Sequence, residues 1–392
     1  MTTDIAGVGM LFLIVRRRLN DVGCEMSGDV GLNGGVLIMA NTTGVTAVAE
    51  RPIDVSWLST PRIAVAGKTR PSGRAAVAEA TVSARAAVGR LSGLPGAVTD
   101  MALSADGRQL VAAHYGADAI SVIDIATLTI NVIVAGIAEP YAVAVADRAY
   151  VTSASNDQDS VVAIDLKVGA ALAAKEITDG ARGIAVSPGG DELYVARCGD
   201  QVAEIAVIDI ESGESKTIAL TSTAEARVDA VRVSADGSRL FVALTDATGG
   251  SLAVIDVRAR RVLHTVALGG SIGDVAVDAD SRRVLVTGWN DELGAVVRIV
   301  DAVAGRVVDT MVVDGMGAQV VVSGTAAYLA LGDGVLVIDT VTARIITRID
   351  TANPVSAIAV GKDGTRLYVG DFDGAITAVE VAQANRELRA AS

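Results

Sequence analysis

The sequence predicts an all-β fold built from one repeated unit, and three observations predict it. A short apolar run closes on an acidic residue at Asp124, Asp165, Asp209, Asp256, Asp301, Asp339 and Glu380, at intervals of 41, 44, 47, 45, 38 and 41 residues. Ahead of each stands a second apolar run rich in Val, Leu and Tyr. Between the runs lie Ser, Asp and Gly clusters with the composition of hairpin turns. A period of about 40 to 45 residues with four short strands per unit is the mark of a propeller blade, which buries its faces only against neighbouring blades. Seven anchors therefore predict a seven-bladed β-propeller of four-stranded antiparallel blades, with an irregular N-terminal extension.

Residues 231–256 show the unit in full. Val231 and Val233 alternate with Arg232 and Ser234, Ala235-Asp236-Gly237-Ser238 turns, Leu240 to Leu244 forms the next strand, and the third strand ends at Asp256. Asp-Gly suits such turns because glycine takes a positive φ without strain.

In chain order, residues 8–15 are apolar and precede Arg16-Arg17-Arg18. A secretory signal carries its positive charge before the apolar segment, so this order argues against one. The run is compatible with a buried strand, a membrane-surface contact or a start codon placed too early. Residues 35–50 look like the middle of a blade, with Ile38-Met39-Ala40-Asn41, a turn and Val45-Thr46-Ala47-Val48, but the first strand and the acidic anchor are missing. They are read as a hairpin outside the ring, an eighth blade being the alternative. Residues 51–74 carry Pro52, Pro61, Pro71, Gly67 and Gly73 and read as linker.

The last repeat supplies three strands within residues 355–381 and then turns polar, so its outer strand is missing. An open edge leaves backbone groups unpaired. Residues 81–91 stand just before the first full repeat and are expected to supply that strand. The domain division is then 1–80 for the extension and 81–392 for the propeller.

Composition narrows the function classes. With 33 Lys and Arg against 46 Asp and Glu, the net charge of −13 opposes nucleic-acid binding, and 3% aromatic residues leave few stacking platforms. No apolar run approaches the roughly 18 to 20 residues of a membrane helix. Cys24 and Cys198 are too few for a disulfide framework or a zinc cluster, and they read as unpaired thiols. The chain is read as a monomer, with the cytoplasm favoured and the cell envelope kept open.

The second strands read Leu110-Val111-Ala112-Ala113, Tyr150-Val151-Thr152-Ser153, Tyr194-Val195-Ala196-Arg197, Phe241-Val242-Ala243-Leu244, Leu285-Val286-Thr287-Gly288, Tyr328-Leu329-Ala330-Leu331 and Tyr368-Val369-Gly370-Asp371. With the Ser-Ala-Asp-Gly turn before them and Val-Ile-Asp after, residues 97–381 resemble the bacterial YVTN-repeat β-propellers, relatives of the lactonase-like propellers. The resemblance implies a binding or surface protein, or a lactone hydrolase. The family's fourth-position Asn is replaced in all seven repeats and is kept at Asn41. No lactonase catalytic set can be placed on numbered residues.

Local chemistry offers no catalytic residue and no complete metal site. Gly-x-Ser-x-Gly does not occur, and Gly67-Lys68-Thr69 has Arg62 where a phosphate loop needs its first glycine. Asn156-Asp157-Gln158-Asp159 and Asp371-Phe372-Asp373-Gly374 are explained by turn chemistry. His264, in an outer-strand pattern, reads as a surface or half-buried histidine. Inner strands line the channel of a propeller, so the residues just before them should ring one mouth: Asp100, Tyr141, Arg182, Asp229, Asp274, Gln319 and Ser356. The loops after the second strands should present His114, Tyr115, Arg197, Asp200, Asp246, Trp289, Asn290 and Asp291 on the same face. The leading expectation is a non-enzymatic scaffold that binds a protein partner through this face and needs no cofactor. The alternative is a lactonase-like hydrolase at the channel mouth, which requires a divalent cation.

Overall fold

A computed structural model of the chain describes residues 30–33, 36–40, 46–47, 80–82 and 87–381, apart from 155–158, 178–179, 199–202, 222–225, 316 and 318. The chain divides into two compact units, residues 1–78 and 79–392. The first contains a three-stranded antiparallel sheet of Val30–Asn33, Val36–Ala40 and Thr46–Ala47. The eighth-blade alternative is thereby corrected: these strands form their own sheet in a separate unit.

The second unit is the propeller. Blades 1 to 6 span residues 100–135, 140–176, 184–221, 227–267, 271–312 and 319–350, and each runs as four antiparallel strands in sequence order. Blade 7 takes three strands from residues 355–380 and its fourth from Ala87–Ser92, with Ile376 opposite Leu91 and Thr377 opposite Arg90. The Arg90 guanidinium ties this strand down through Asp371 at 3.0 Å and Thr377 at 3.4 Å. The first and last strands of the ring thus share one sheet. Residues 81–82 do not take part, contrary to the expected boundary; Ala80–Val82 lies parallel to Thr347, Arg348 and Ile349 on the outer edge of blade 6, where free backbone groups accept it.

The repeats explain why the blades pack. The first residue of the second-strand motif points between blades, and Tyr194, Phe241, Tyr328 and Tyr368 are at most 1% exposed. Full burial of an aromatic side chain contributes about 1.5–3 kcal/mol. At the turns, the Ser104 hydroxyl donates to Asp106 at 2.6 Å while Gly107 takes φ +68°, and Ser234, Asp236 and Gly237 repeat the arrangement with φ +71°. The aspartate anchors cap the opening of the third-to-fourth strand turn: Asp124 accepts from the Ala126 and Thr127 amides at 2.9 Å, and Asp301 from Val303 at 3.0 Å and Ala304 at 2.8 Å. These bonds hold both carboxyls below the usual carboxylate range.

Strand order also fixes the faces. Turns between first and second and between third and fourth strands lie on one face. Loops between second and third strands, and the crossings between blades, lie on the other, here termed the loop face.

Candidate functional site

Inner strands are interrupted where they approach the channel. The pairing register slips between Pro140 and Val143 in blade 2, Val228 and Ala230 in blade 4, Ile272 and Val275 in blade 5, and Val355 and Ala357 in blade 7. A bulge leaves amides without a ladder partner, and a buried amide needs one. The third residue of the second-strand motif serves two of them: Thr152 Oγ1 accepts from the Ala142 amide at 3.0 Å, and Thr287 Oγ1 from the Asp274 amide at 2.9 Å.

Channel-mouth residues cap further inner-strand amides across blade boundaries. Asp100 Oδ2 of blade 1 accepts from the Val143 amide of blade 2 at 2.8 Å. Asp274 Oδ2 of blade 5 accepts from Val320 of blade 6 at 2.9 Å, and Gln319 Oε1 of blade 6 accepts from Ile358 of blade 7 at 2.7 Å. The Gln319 Nε2 group donates onward to Asp100 Oδ1 at 2.9 Å, which also accepts from Met101 at 2.9 Å. Arg232 of blade 4 completes the relay by donating to Asp274 Oδ1 at 2.7 Å. The network runs around the channel from blade 4 through blades 5, 6, 7 and 1 to blade 2.

Burial raises the Asp100 carboxyl to about 6, against the pull of the Val143 amide and the Arg232 charge. The same cause raises Asp274, again opposed by Arg232. Arg232 is absent from the sequence-derived set, yet its signal was present. The residue one past each aligned inner-strand hydrophobe is Ala102, Ala144, Ala185, Ala276, Ala359 or Val321 in six blades, and Arg232 in the fourth.

The seven channel-mouth candidates do not form one cluster. Asp100, Asp274 and Gln319 stand one residue before the aligned hydrophobe and join the relay. Tyr141, Arg182, Asp229 and Ser356 stand two before it, and Tyr141, Asp229 and Ser356 fall within strand bulges, which interrupt the regular alternation of side chains. Tyr141 stacks edge-on with Tyr115, with ring centroids 6.5 Å apart, and the Tyr115 hydroxyl donates to Glu139 at 2.5 Å. Asp229 is held by Arg227 at 2.9 Å and by the Thr245 hydroxyl at 2.5 Å. Arg182 and Asp229 both act electrostatically on Cys198, whose Sγ accepts from the Val228 amide at 3.0 Å and whose thiol is pushed up by burial.

His114 requires a correction. It ends a buried strand and is fully buried, with Nδ1 3.0 Å from the Gly96 carbonyl and 3.3 Å from that of Ala97, and Nε2 2.8 Å from Ser121 Oγ. Two carbonyls at Nδ1 require the proton there, so Nε2 accepts from the serine. The ring anchors the crossing into blade 1 and cannot meet a partner. Arg197 likewise lies along its sheet in an ion pair with Glu204, its cross-strand neighbour. Asn290 caps a turn, accepting from the Glu292 amide at 3.0 Å and Leu293 at 2.9 Å. Trp289 is 43% exposed at the same hairpin tip, Leu293 is 50% exposed, and Asp291 and Glu292 lie between them in the chain. Leu293 is the residue that the sequence reading missed: a lone leucine in a polar loop gives no periodic signal.

Asp371 spends both oxygens on Arg90, Asn353 and the Asp373 and Ala375 amides. Cys24, Asn41, Asp157 and Asp200 lie outside the described residues. Among the described residues, no group of three or more His, Cys, Asp and Glu side chains is placed to hold a metal ion, and no helix is long and apolar enough to cross a membrane.

Comparison with known proteins adds the following. No family model matches the chain. It is 30% identical over 325 residues to a seven-bladed beta-propeller protein of Mycobacterium tuberculosis, covering 73% of this chain and 82% of that protein. A seven-bladed beta-propeller protein of Mycolicibacterium smegmatis is 41% identical over 69 residues, 18% of this chain and 19% of its own length. Among solved structures, Kuenenia stuttgartiensis hydrazine synthase superposes with a TM-score of 0.67 at 22% identity, over 74% of this chain and 96% of that one. At that identity the likeness concerns the fold alone.

Proposed function

The chain belongs to the family of seven-bladed β-propeller proteins, and on that premise we propose that it is a non-enzymatic scaffold that binds a protein partner through its loop face. One observation carries this reading. The loop face exposes Trp289 and Leu293 on a tip whose backbone Asn290 already fixes, while Asp100 and Asp274 at the channel mouth are committed to blade-to-blade hydrogen bonds. A rigid aromatic with an apolar neighbour loses little entropy on docking, which is how interface hot spots concentrate their energy. Asp291 and Glu292 favour a partner whose contact rim is basic.

The finer assignment to the YVTN-repeat, lactonase-like subtype is part of the same proposal, supported by the second-strand motifs. A metal-dependent hydrolase at the channel mouth would have to withdraw Asp100 and Asp274 from the amides they cap, leaving those amides unpaired.

Affinity capture from native lysate tests the proposal, with wild-type bait beside Trp289→Ala/Leu293→Ser bait. A protein retained by the first and lost from the second is expected. Identical recoveries would remove the tip from the site. Stabilisation by calcium, magnesium, manganese or zinc together with cation-dependent lactone hydrolysis would establish the hydrolase.

A further inference from the structure

We propose that the interface between blades 4 and 5 holds a small inorganic anion on the guanidinium of Arg298. Strand register places the side chain. Arg298 lies on the third strand of blade 5, Gly294–Asp301, directly opposite Val286, and opposed residues of an antiparallel pair share a face. Val286 and the next pair on that face, Val284 with Val300, belong to the apolar layer that blade 5 shares with Phe241, Leu252 and Val254 of blade 4. Arg298 therefore points into this layer, and it is 5% exposed.

Its Nη1 is buried and has no hydrogen-bond partner among the described residues. Burial is the one cause acting on the guanidinium, and it pulls the group below its ordinary range. Arginine stays charged in proteins, and a buried charge left uncompensated is strongly unfavourable.

A second donor faces the same layer. His264 on the outer strand of blade 4 stands opposite Val254, and its ring lies against Gly305 of blade 5, where an added Cβ would come within 3.0 Å of Cδ2. Its Nε2 is also buried without a partner among the described residues. Two nitrogen groups with unused hydrogen-bonding capacity thus enter one interblade layer, and among the described residues no carboxylate pairs with the arginine there.

Blade geometry does not call for this arrangement. Counting three residues back from each acidic anchor, the other blades carry Ser121, Val162, Ala206, Ala253, Leu336 and Thr377. A leucine fills the place in blade 6, so the position can be packed without charge. What Arg298 adds is a positive charge in a low-dielectric layer, which favours a small, easily desolvated anion over a large hydrated one.

The test uses the full chain in a buffer whose only anion is gluconate, too large to enter. Sodium chloride, bromide, nitrate and sulfate are then titrated at fixed ionic strength while thermal unfolding is followed. Wild-type protein is expected to show a saturable rise of about 2–5 °C with at least one small anion, the size of shift that ligand linkage produces in a domain this large. Arg298→Met should melt higher than wild type in gluconate and show no anion dependence. His264→Phe should weaken the apparent anion affinity several-fold.

A wild-type protein that responds to all four anions as it does to gluconate overturns the proposal, whether or not the variants fold. So does an Arg298→Met protein that keeps the anion-dependent shift. Neither outcome touches the Trp289 tip, so this inference and the partner-binding proposal fail separately.

Discussion

The channel wall and the loop-face rim use polar residues in opposite ways. In the wall, Asp100, Asp274 and Gln319 each reach one blade onward and cap an amide that a strand bulge or a blade boundary has left open. At the rim, the polar groups of the hairpin after the second strand of blade 5 cap only their own turn, and Trp289 and Leu293 project into water. The same residue types mean different things in the two places. A carboxylate at a channel mouth looks like a ligand until its lone pairs are counted. Wall substitutions should therefore cost stability and spare binding, and rim substitutions should do the reverse.

The largest effect is expected where the wall is closed. Removing residues 1–79 leaves every strand of the seven blades in place, whereas removing 1–92 also takes the fourth strand of blade 7 and exposes the edge of Ala375–Glu380. Scanning calorimetry should show one cooperative transition for the first truncation and none for the second. Two equal transitions would mean that the ring does not depend on its closing strand.

Next comes the relay. Asp274→Ala strands the Arg232 charge and the Val320 amide together, and should cost about 3–5 kcal/mol by urea unfolding. Gln319→Ala frees only neutral groups and the contact to Asp100, so about 1–2 kcal/mol is expected. A reversed order would show that the wall is not held by charge.

Asp100 gives a smaller, pH-dependent effect. Its carboxyl titrates at about 6 in the folded protein against an ordinary 3.8, so the native state binds the extra proton between those values. The contribution of this group to stability is then greatest below about pH 4 and falls as pH rises toward 6. Burial sets the rise and the Asp274 charge adds to it, while the Val143 and Met101 amides and the Arg232 charge oppose it. Asp100→Asn keeps an acceptor for the Val143 amide and should flatten that part of the profile. A variant profile parallel to wild type would move the titration elsewhere.

How much of this was legible in the sequence follows the same division. The scaffold was readable because repetition exposes it: the acidic anchors, the Asp-Gly turns and the aromatic at the head of five of the seven second strands recur at a period of about 40 to 45 residues, and each has one physical task. The site was not, because its geometry turns on single-residue register. Asp100 and Asp229 look equivalent beside their aligned methionine or valine, but Asp229 is the extra residue of a strand bulge, whereas Asp100 pairs regularly with Ala113. His114 next to Tyr115 looked like a loop pair. The strand runs one residue further, and the histidine turns inward to two carbonyls. Arg232 was visible as a break in a column of small residues, a signal that appears only when the repeats are compared position by position.

The smallest change in stability belongs to the rim, and it separates the two regions most sharply. Trp289→Ala with Leu293→Ser removes two side chains that are 43% and 50% exposed and leaves the Asn290 cap in place. Exposed side chains of this kind usually contribute within about 0.5 kcal/mol, so the urea midpoint should barely move. Partner capture should fall by tenfold or more, because truncating a hot-spot aromatic costs about 2 kcal/mol or more of binding energy and every 1.4 kcal/mol is a factor of ten. If stability falls with binding, the tip is part of the scaffold. If neither changes, Trp289 is an exposed aromatic without a role in docking. Loss of binding at constant stability is the one outcome that distinguishes a recognition surface from the wall it stands on.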